Sequence, residues 1–300
     1  SNYKFQRLKY LGIFDKINII YGDITEYEYF SKIIKNLKPN YLFNLAAQSF
    51  VDYSFHNKFT TYEVNNKAVY NILETIKNFS PKTKFYQAST SEMYGNSKEK
   101  FQNETTEFNP ISPYAVSKVS AHDLVRIYRN SFKIFACSGI LFNHESPLRG
   151  ETFVTKKIVS ALCKIKYGLQ KELYLGNLYA KRDWGHAKDY VEGMWRILQQ
   201  KTPDDFVIAT GHTYSIKQFI QFVTNELKMK ISWKGKGINE KGYYNGRAII
   251  KCDKSYIRPL DVQTLLGNAS KARRVLKWKP KYNISQLVKE MVDFEIQKLS

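Results

Sequence analysis

Acidic side chains are scarce in this 300-residue chain: 27 Asp and Glu stand against 47 Lys and Arg, a formal charge of +20. Such an excess suggests an anionic partner, whether nucleic acid, a membrane surface or a phosphorylated small molecule, although a solvated lysine-rich surface accounts for most of it. Cysteine is scarce too. Cys137, Cys163 and Cys252 are odd in number, widely spaced and free of any CxxC pair, which excludes a disulfide framework and a zinc ribbon. The histidines, His56, His122, His144, His186 and His212, lack metal-ligand spacing, so no metal is expected. No apolar run approaches the ~18 residues of a membrane helix, and Ser1-Asn2-Tyr3-Lys4 opens no signal peptide. The expectation is a reduced, cytoplasmic, soluble protein with no membrane partner.

What is present is a globular composition: 43% hydrophobic, 25% charged and 15% aromatic, with 22 Tyr and 19 Phe to build a core. The length suits one large domain or two coupled smaller ones. Short apolar runs alternate with amphipathic stretches. Residues 17–21 read as a strand followed by a turn at Gly22-Asp23, and 27–37 as a helix. Residues 41–45 read as a buried strand, Val69, Ile72, Leu73 and Ile76 recur at helical spacing, and 84–88 read as the next strand. A helix from about 113 and a strand over 134–142 follow, while the basic, glycine-dotted stretch 234–247 reads as a mobile loop or an inserted arm. Ile284, Leu287, Val288, Met291 and Val292 make one apolar stripe near the end. Strand and helix in alternation mean a parallel sheet covered on both faces. In such sheets functional residues sit beyond the carboxyl ends of the strands. The segments 46–49, 89–92 and 143–145 fall at such ends.

Tyr114 and Lys118 lie four apart on the expected helix and so share a face. An ammonium beside a phenol favours the phenolate, which predicts a tyrosine pKa below its usual ~10. Such a tyrosine can take a proton from a sugar hydroxyl while hydride leaves the same carbon. Tyr-x-x-x-Lys alone is common by chance. Here Ser112-Pro113 precedes it, and an earlier strand ends in Ser89-Thr90-Ser91-Glu92-Met93-Tyr94-Gly95.

At these residues the chain resembles the extended short-chain dehydrogenase/reductase family, and within it the GDP-mannose 4,6-dehydratases. The resemblance is carried by Asn44-Leu-Ala-Ala-Gln-Ser49, Gln87-Ala-Ser-Thr-Ser-Glu-Met-Tyr-Gly95 and Ser112-Pro-Tyr-Ala-Val-Ser-Lys118. It continues through Gly139-Ile-Leu-Phe-Asn-His-Glu-Ser-Pro147, Arg149-Gly-Glu-Thr-Phe-Val-Thr155, Arg182-Asp-Trp-Gly-His-Ala187, Arg258-Pro259 and Leu265-Leu-Gly-Asn268. These strings span nearly the whole chain in family order.

The resemblance implies a doubly wound parallel Rossmann-type α/β sheet with a smaller α/β substrate-binding domain. Residues 1–143 plus 178–213 would bind NADP, and 144–177 plus 214–300 the nucleotide sugar. It implies a lyase that carries hydride from C4 to C6 of GDP-mannose and eliminates water. The catalytic set would be Thr90, Glu92, Tyr114 and Lys118. Asp23, Ile24, Leu45, Ala46, Ala47, Gln48, Ser49, His144 and Arg149 would line the cofactor together with Tyr114 and Lys118. Ser49, Asn143, Arg182 and Arg258 would face the GDP-sugar, the two arginines because a planar guanidinium pairs well with phosphate. His186 and Asp183 are expected to orient their loop. Homodimers or homotetramers are implied on the same ground. A GDP-manno-heptose dehydratase, a nucleotide-sugar epimerase and a basic nucleic-acid-binding protein on a dead scaffold are the alternatives. Glu92 weighs against the epimerase, which needs only the C4 step, and no aromatic-basic stacking motif supports nucleic acid.

One element of the family pattern is not in the sequence. No Gly-x-x-Gly-x-x-Gly occurs among the 15 glycines, and residues 1–10 resemble the segment after the basic stretch that grips the NADP 2′-phosphate. A first βα unit and the following strand, roughly 35–40 residues, are therefore missing. The sequence is expected to be part of a longer protein, and a polypeptide that began at Ser1 is expected to hold NADP weakly.

Overall fold

The computed structural model describes residues 5–257 and 260–299. The chain opens with α1 (Gln6–Tyr10) and α2 (Tyr27–Leu37), then β1 (Tyr41–Asn44). Helices α3 (Val51–His56) and α4 (Lys58–Tyr62) run through a π turn, Glu63–Lys67, into α5 (Ala68–Phe79). Next come β2 (Lys84–Thr90), α6 (Pro113–Phe132) and β3 (Ala136–Leu141). The chain then departs through β4 (Asn143–Glu145), α7 (Val154–Lys166), β5 (Leu173–Leu175), β6 (Lys181–Arg182) and β7 (Trp184–His186), and α8 (Ala187–Leu198) returns it to β8 (Phe206–Ile208). After β9 (Tyr214–Ser215) and α9 (Ile216–Glu226) follow β10 (Ser232–Lys234), β11 (Lys241–Tyr244), β12 (Arg247–Cys252), α10 (Ser270–Val275) and α11 (Ile284–Leu299).

Strands β1, β2, β3 and β8 form one parallel sheet in that order. Side chains alternate across a strand, so Phe85 packs with Val69, Ile72 and Leu73 of α5 and with Ala121 and Val125 of α6 on one face. Tyr86 and Cys137 pack with Tyr190, Met194 and Ile197 of α8 on the other. The result is the doubly covered α/β sheet of the Rossmann class that alternation implies. A second sheet, β10-β11-β12-β5, is capped by α7, α9 and α11 around Leu173, Ile250, Phe219 and Met291. Val262, Leu265, Ala272 and Trp278 join the first core, although the sequence division assigns all of 214–300 to the second unit.

The helices 27–37 and 113 onward and the strands 41–45, 84–88 and 134–142 are found within a few residues of their expected limits. Ser112 caps α6, its Oγ accepting from Ala115 N at 3.1 Å, and Pro113 fills the first helical position, where its missing N–H costs nothing. Two expectations fail. Residues 17–21 form no strand, because a strand needs a hydrogen-bonded neighbour and this segment runs without a ladder, with Ile20 and Tyr21 exposed. The stretch 234–247 is no mobile arm but contributes antiparallel strands paired through Gly242↔Ile250. A Cβ on Gly242 would stand 3.0 Å from Ile250, so glycine there allows close packing rather than flexibility. No helix among the described residues is long and apolar enough to cross a membrane.

Candidate active site

Parallel strands bring their carboxyl ends to one side, and helix α6 lies across the end of β2. Tyr114, Lys118 and His122 occupy successive turns of its inward face. Each meets one of three consecutive β2 residues. Lys118 Nζ donates to the Ala88 carbonyl at 3.0 Å, His122 Nδ1 lies 3.2 Å from Ser89 Oγ, and the Tyr114 phenol stands near the Thr90 hydroxyl, which favours its ionised form. Thr90 Oγ1 also accepts from Glu92 N at 3.2 Å, capping the 3-10 turn Ser91–Tyr94. That turn ends at Gly95 with φ 52°, where a Cβ would meet the Asn109 carbonyl oxygen at 1.7 Å, so only glycine lets the chain leave there. Thr90, Glu92, Tyr114 and Lys118 thus gather about the end of β2, Tyr114 and Lys118 buried and Thr90 and Glu92 half-buried.

The electrostatics differ from the sequence expectation. Burial pushes the Tyr114 phenol up to about 12, Glu92 adds to the rise, and the Thr90 hydrogen bond and the Arg149 charge oppose it. The ammonium of Lys118 does not lower it: Nζ stands 6.0 Å from the ring centroid and is engaged with Ala88, and burial brings Lys118 itself down to about 8. Helical spacing gives a shared face but not the degree of burial, and here burial dominates.

Behind β2, burial lowers the His122 pKa, and Asp205 opposes that at 3.8 Å. Burial also acts on Asp205, but two hydrogen bonds from Arg129, at 2.8 and 2.7 Å, outweigh it and hold the carboxyl below its usual value. Ser138 N adds a third at 2.7 Å.

The β1 end is looser. Leu45, Ala46 and Ser49 are exposed, and Ala47 and Gln48 half-buried. Asn44 donates to Gln87 Oε1 at 2.9 Å and accepts from Ala46 N at 3.2 Å. Asn65, presented by the π turn, clasps Gln48: its Oδ1 accepts from Gln48 N at 2.9 Å, and its Nδ2 donates to Gln48 O at 3.0 Å and to Ser117 Oγ of α6 at 3.1 Å. Sequence reading missed Asn65. The signal was two adjacent asparagines, Asn65 and Asn66, inside a helical stretch that has no need of them. Asp23 and Ile24 form a separate turn, exposed at Asp23, whose Oδ1 accepts from Thr25 N and Oγ1 at 2.9 and 2.8 Å.

At β4 the His144 ring stacks on Tyr190 with centroids 4.8 Å apart, and burial lowers its pKa to about 4, so the imidazole is neutral. Glu145 is buried against Thr155 Oγ1 at 2.8 Å and Arg149 Nε at 3.0 Å, and Arg149 lies over Phe153. The buried Asn143 Oδ1 has no hydrogen-bond partner among the described residues. Arg182 is buried: it donates to the carbonyls of Val262 at 2.7 Å and Lys181 at 3.0 Å, pairs with Asp261 Oδ1 at 3.3 Å, and turns Nε toward Glu92 Oε1 at 3.8 Å. Arg258 lies outside the described residues. Asp183 accepts from Thr210 and Gly211, and His186 lies 2.6 Å from Glu290 and stacks on Tyr282, so both tie their segment to distant parts of the chain.

These residues suit the nicotinamide-ribose half of a dinucleotide. Two alanines leave the β1 end open, and Lys118 brings a buried ammonium. A glycine-rich phosphate loop is not among the residues of this sequence.

A family model described as GDP-mannose 4,6 dehydratase matches residues 1–291. The GDP-mannose 4,6 dehydratase 2 of Caenorhabditis elegans is 49% identical over 92% of this chain and 73% of its own length. Those of Dictyostelium discoideum (45%, covering 94% and 81%) and Vibrio cholerae (46%, covering 91% and 77%) are similar to the same extent. Among solved structures, RMD from Pseudomonas aeruginosa complexed with NADPH superposes with a TM-score of 0.79 at 21% identity, over 94% of this chain and 90% of that one. UDP-glucuronic acid 4-epimerase from Bacillus cereus superposes with a TM-score of 0.82 at 21% identity, over 99% and 87%.

Proposed function

Since the chain belongs to the GDP-mannose 4,6-dehydratase family, we infer that it converts GDP-mannose to GDP-4-keto-6-deoxymannose with loss of water, using NADP. The observation that carries this reading is a carboxylic acid, Glu92, bound through its backbone N–H to Thr90 and near enough to Tyr114 for its charge to act on the phenol. An epimerase has no use for that acid.

Tyr114 takes the proton of the C4 hydroxyl, and Thr90 steadies the C4 oxygen as charge develops. A nicotinamide held by Lys118 beside Tyr114 would supply the redox chemistry, taking hydride from C4 and giving it back at C6. Arg149 and the Thr90 hydroxyl pull against the burial of Tyr114 and are the chain's own means of bringing its phenolate within reach. Once C4 is a ketone the C5 proton is acidic. Glu92 removes it and delivers it to the C6 oxygen, which leaves as water, and once hydride has been added at C6 the proton taken up by Tyr114 is given to C5, so that Tyr114 and Glu92 end as they began. Lys118 holds ribose hydroxyls, and neutral His144 with Arg149 closes the cofactor side. Asp23 and Ile24 take the adenine, Leu45 to Ser49 the connecting ribose and phosphates, and Ser49, Asn143, Arg182 and Arg258 the sugar nucleotide. The NADP unit is 1–143 plus 178–213, to which the packing of 262–278 adds that stretch, and the remaining residues form the sugar-nucleotide unit. Three free thiols, two of them buried, agree with a reducing cytoplasm. Family resemblance supports a homodimer or homotetramer.

The test is incubation of the full chain with NADP and GDP-mannose. A 4-keto sugar, read by its alkaline absorbance, is expected. Turnover of GDP-manno-heptose alone would replace the substrate, and DNA retention without any sugar turnover would replace the reading.

A further inference from the structure

We propose that the outer face of β10–β12 docks an acidic, extended segment of a protein partner, which joins the β10 edge as a further strand and lays alternate carboxylates along its lysines. This docking does not depend on the reading of the active site. Strand β10 ends the second sheet on one side, so one edge of its backbone has no strand beside it among the described residues. Around it the chain alternates. Met229, Ile231 and Trp233 pack into the second core, while Lys228, Lys230, Ser232 and Lys234 are exposed, with Lys236 just beyond. Alternate residues of a strand lie about 7 Å apart, the same spacing as alternate side chains of any extended peptide laid beside it.

The basic face continues across the sheet. Lys234 stands directly opposite Lys241 of β11, and Lys241 opposite Lys251 of β12. Like charges facing each other across strands destabilise a sheet. Glu172 pairs with Lys251 and relieves one end of this row, but Lys234 and Lys241 have no ion pair among the described residues. Glu240, next to Lys241 in the chain, is buried and already holds Lys217 and the Tyr179 hydroxyl. Lysine on an edge strand is a common guard against edge-to-edge association. Lys234 suffices for that, whereas Lys241 lies on an inner strand, where it guards nothing and costs stability. A carboxylate set over the row turns the repulsion into attraction. Two features favour a peptide over a nucleic-acid strand. The open edge offers main-chain groups with which a polypeptide strand pairs in register. The rings on and beside this face each already carry a cation where a base would stack: Lys234 over Tyr243 at 5.4 Å, Lys251 over Tyr174 at 5.8 Å and Lys217 over Trp233 at 4.7 Å.

The test uses the full chain and a fluorescein-labelled peptide of alternating glutamate and threonine. It should bind about tenfold more tightly than a peptide of the same composition with its glutamates in one block, and binding should weaken as salt rises. Amide exchange in β10 should slow in the complex, as a newly paired strand requires. Lys234→Glu and Lys241→Glu should each weaken binding about tenfold, against less than about twofold for Lys201→Glu, an exposed lysine outside the second sheet. Both substitutions remove a like-charge pair and should raise the urea midpoint, which separates lost binding from misfolding. Equal affinity for the blocked peptide, unchanged exchange in β10, or a lowered urea midpoint in both variants would overturn the proposal. Displacement of the peptide by a lower concentration of single-stranded oligo-dT would overturn it in favour of nucleic acid. Self-association of Lys234→Glu with peptide affinity unchanged would overturn it by leaving the lysines as guards of the edge.

Discussion

The carboxyl ends of β2 and β1 are neighbours in one sheet, yet they are held in different ways. At β2 three successive residues each face a successive turn of α6, two of them hydrogen-bonded to it, and Tyr114, Lys118 and His122 are buried. At β1 the residues 45–49 are largely open, and one asparagine supplies much of their anchoring. The difference matches the two tasks. Proton transfer needs donor and acceptor fixed within tenths of an ångström, while lining a long cofactor tolerates a looser surface. Rigidity is therefore concentrated where bonds change.

The largest effect should come from Tyr114→Phe, which leaves the packing in place and removes the base. Turnover should drop about 10²- to 10⁴-fold with the fold intact by circular dichroism. Unchanged turnover would end the role of Tyr114.

Lys118→Met should also abolish turnover but stabilise the fold. Burial lowers Lys118 to about 8 in the folded chain against 10.5 for the ordinary side chain. The unfolded chain then binds more protons between those values, so stability rises with pH from about 8 to 10.5. At neutral pH the buried charge is a cost on the order of 3 kcal/mol, partly offset by its bond to Ala88. The methionine variant should gain about 1–2 kcal/mol in urea unfolding at pH 7 and lose that rise with pH. A less stable variant would contradict the assignment.

Asn65→Ala strikes the looser end. It leaves Gln48 N, Gln48 O and Ser117 Oγ without their partner, a loss of about 1–3 kcal/mol. Cofactor affinity by fluorescence titration should weaken about tenfold, with turnover at saturation little changed. A fall in saturated turnover equal to that of Tyr114→Phe would erase the contrast between the two ends. Asp23→Ala should do least, about 0.5 kcal/mol in unfolding and a few-fold loss of cofactor affinity. A larger loss of stability would show that its turn is more than an exposed cap.

Much of the fold and of the cleft is legible in the sequence, for reasons visible at particular residues. Polar strings interrupt apolar runs where strands end, so the residue pattern alone sets Thr90, Glu92 and Asn143 at strand termini. The Ser112-Pro113 start of α6 is legible as well, since capping and proline chemistry are local. Residues 17–21 mislead because their apolar pattern says nothing about whether a neighbouring strand is present. Residues 234–247 mislead because lysine and glycine resemble loop chemistry, while the pairing of Gly242 with Ile250 is set by a close approach that no local pattern records. The direction of the Tyr114 pKa and the reach of Arg182 to Glu92 depend on burial and on segments about 80 residues apart, such as Arg182 and Val262.

The route of the chain has a consequence for how the protein is made. The chain leaves the first sheet after β3, builds β4 to β7, and only then supplies β8, which pairs with β3. β5 in turn waits for β12 as its parallel partner, and 262–278 comes back to the first core afterwards. Each core is finished by sequence that follows part of the other, so neither can complete itself first during synthesis. Contacts of such long sequence separation fold slowly, and calorimetry should show the two cores melting as one transition.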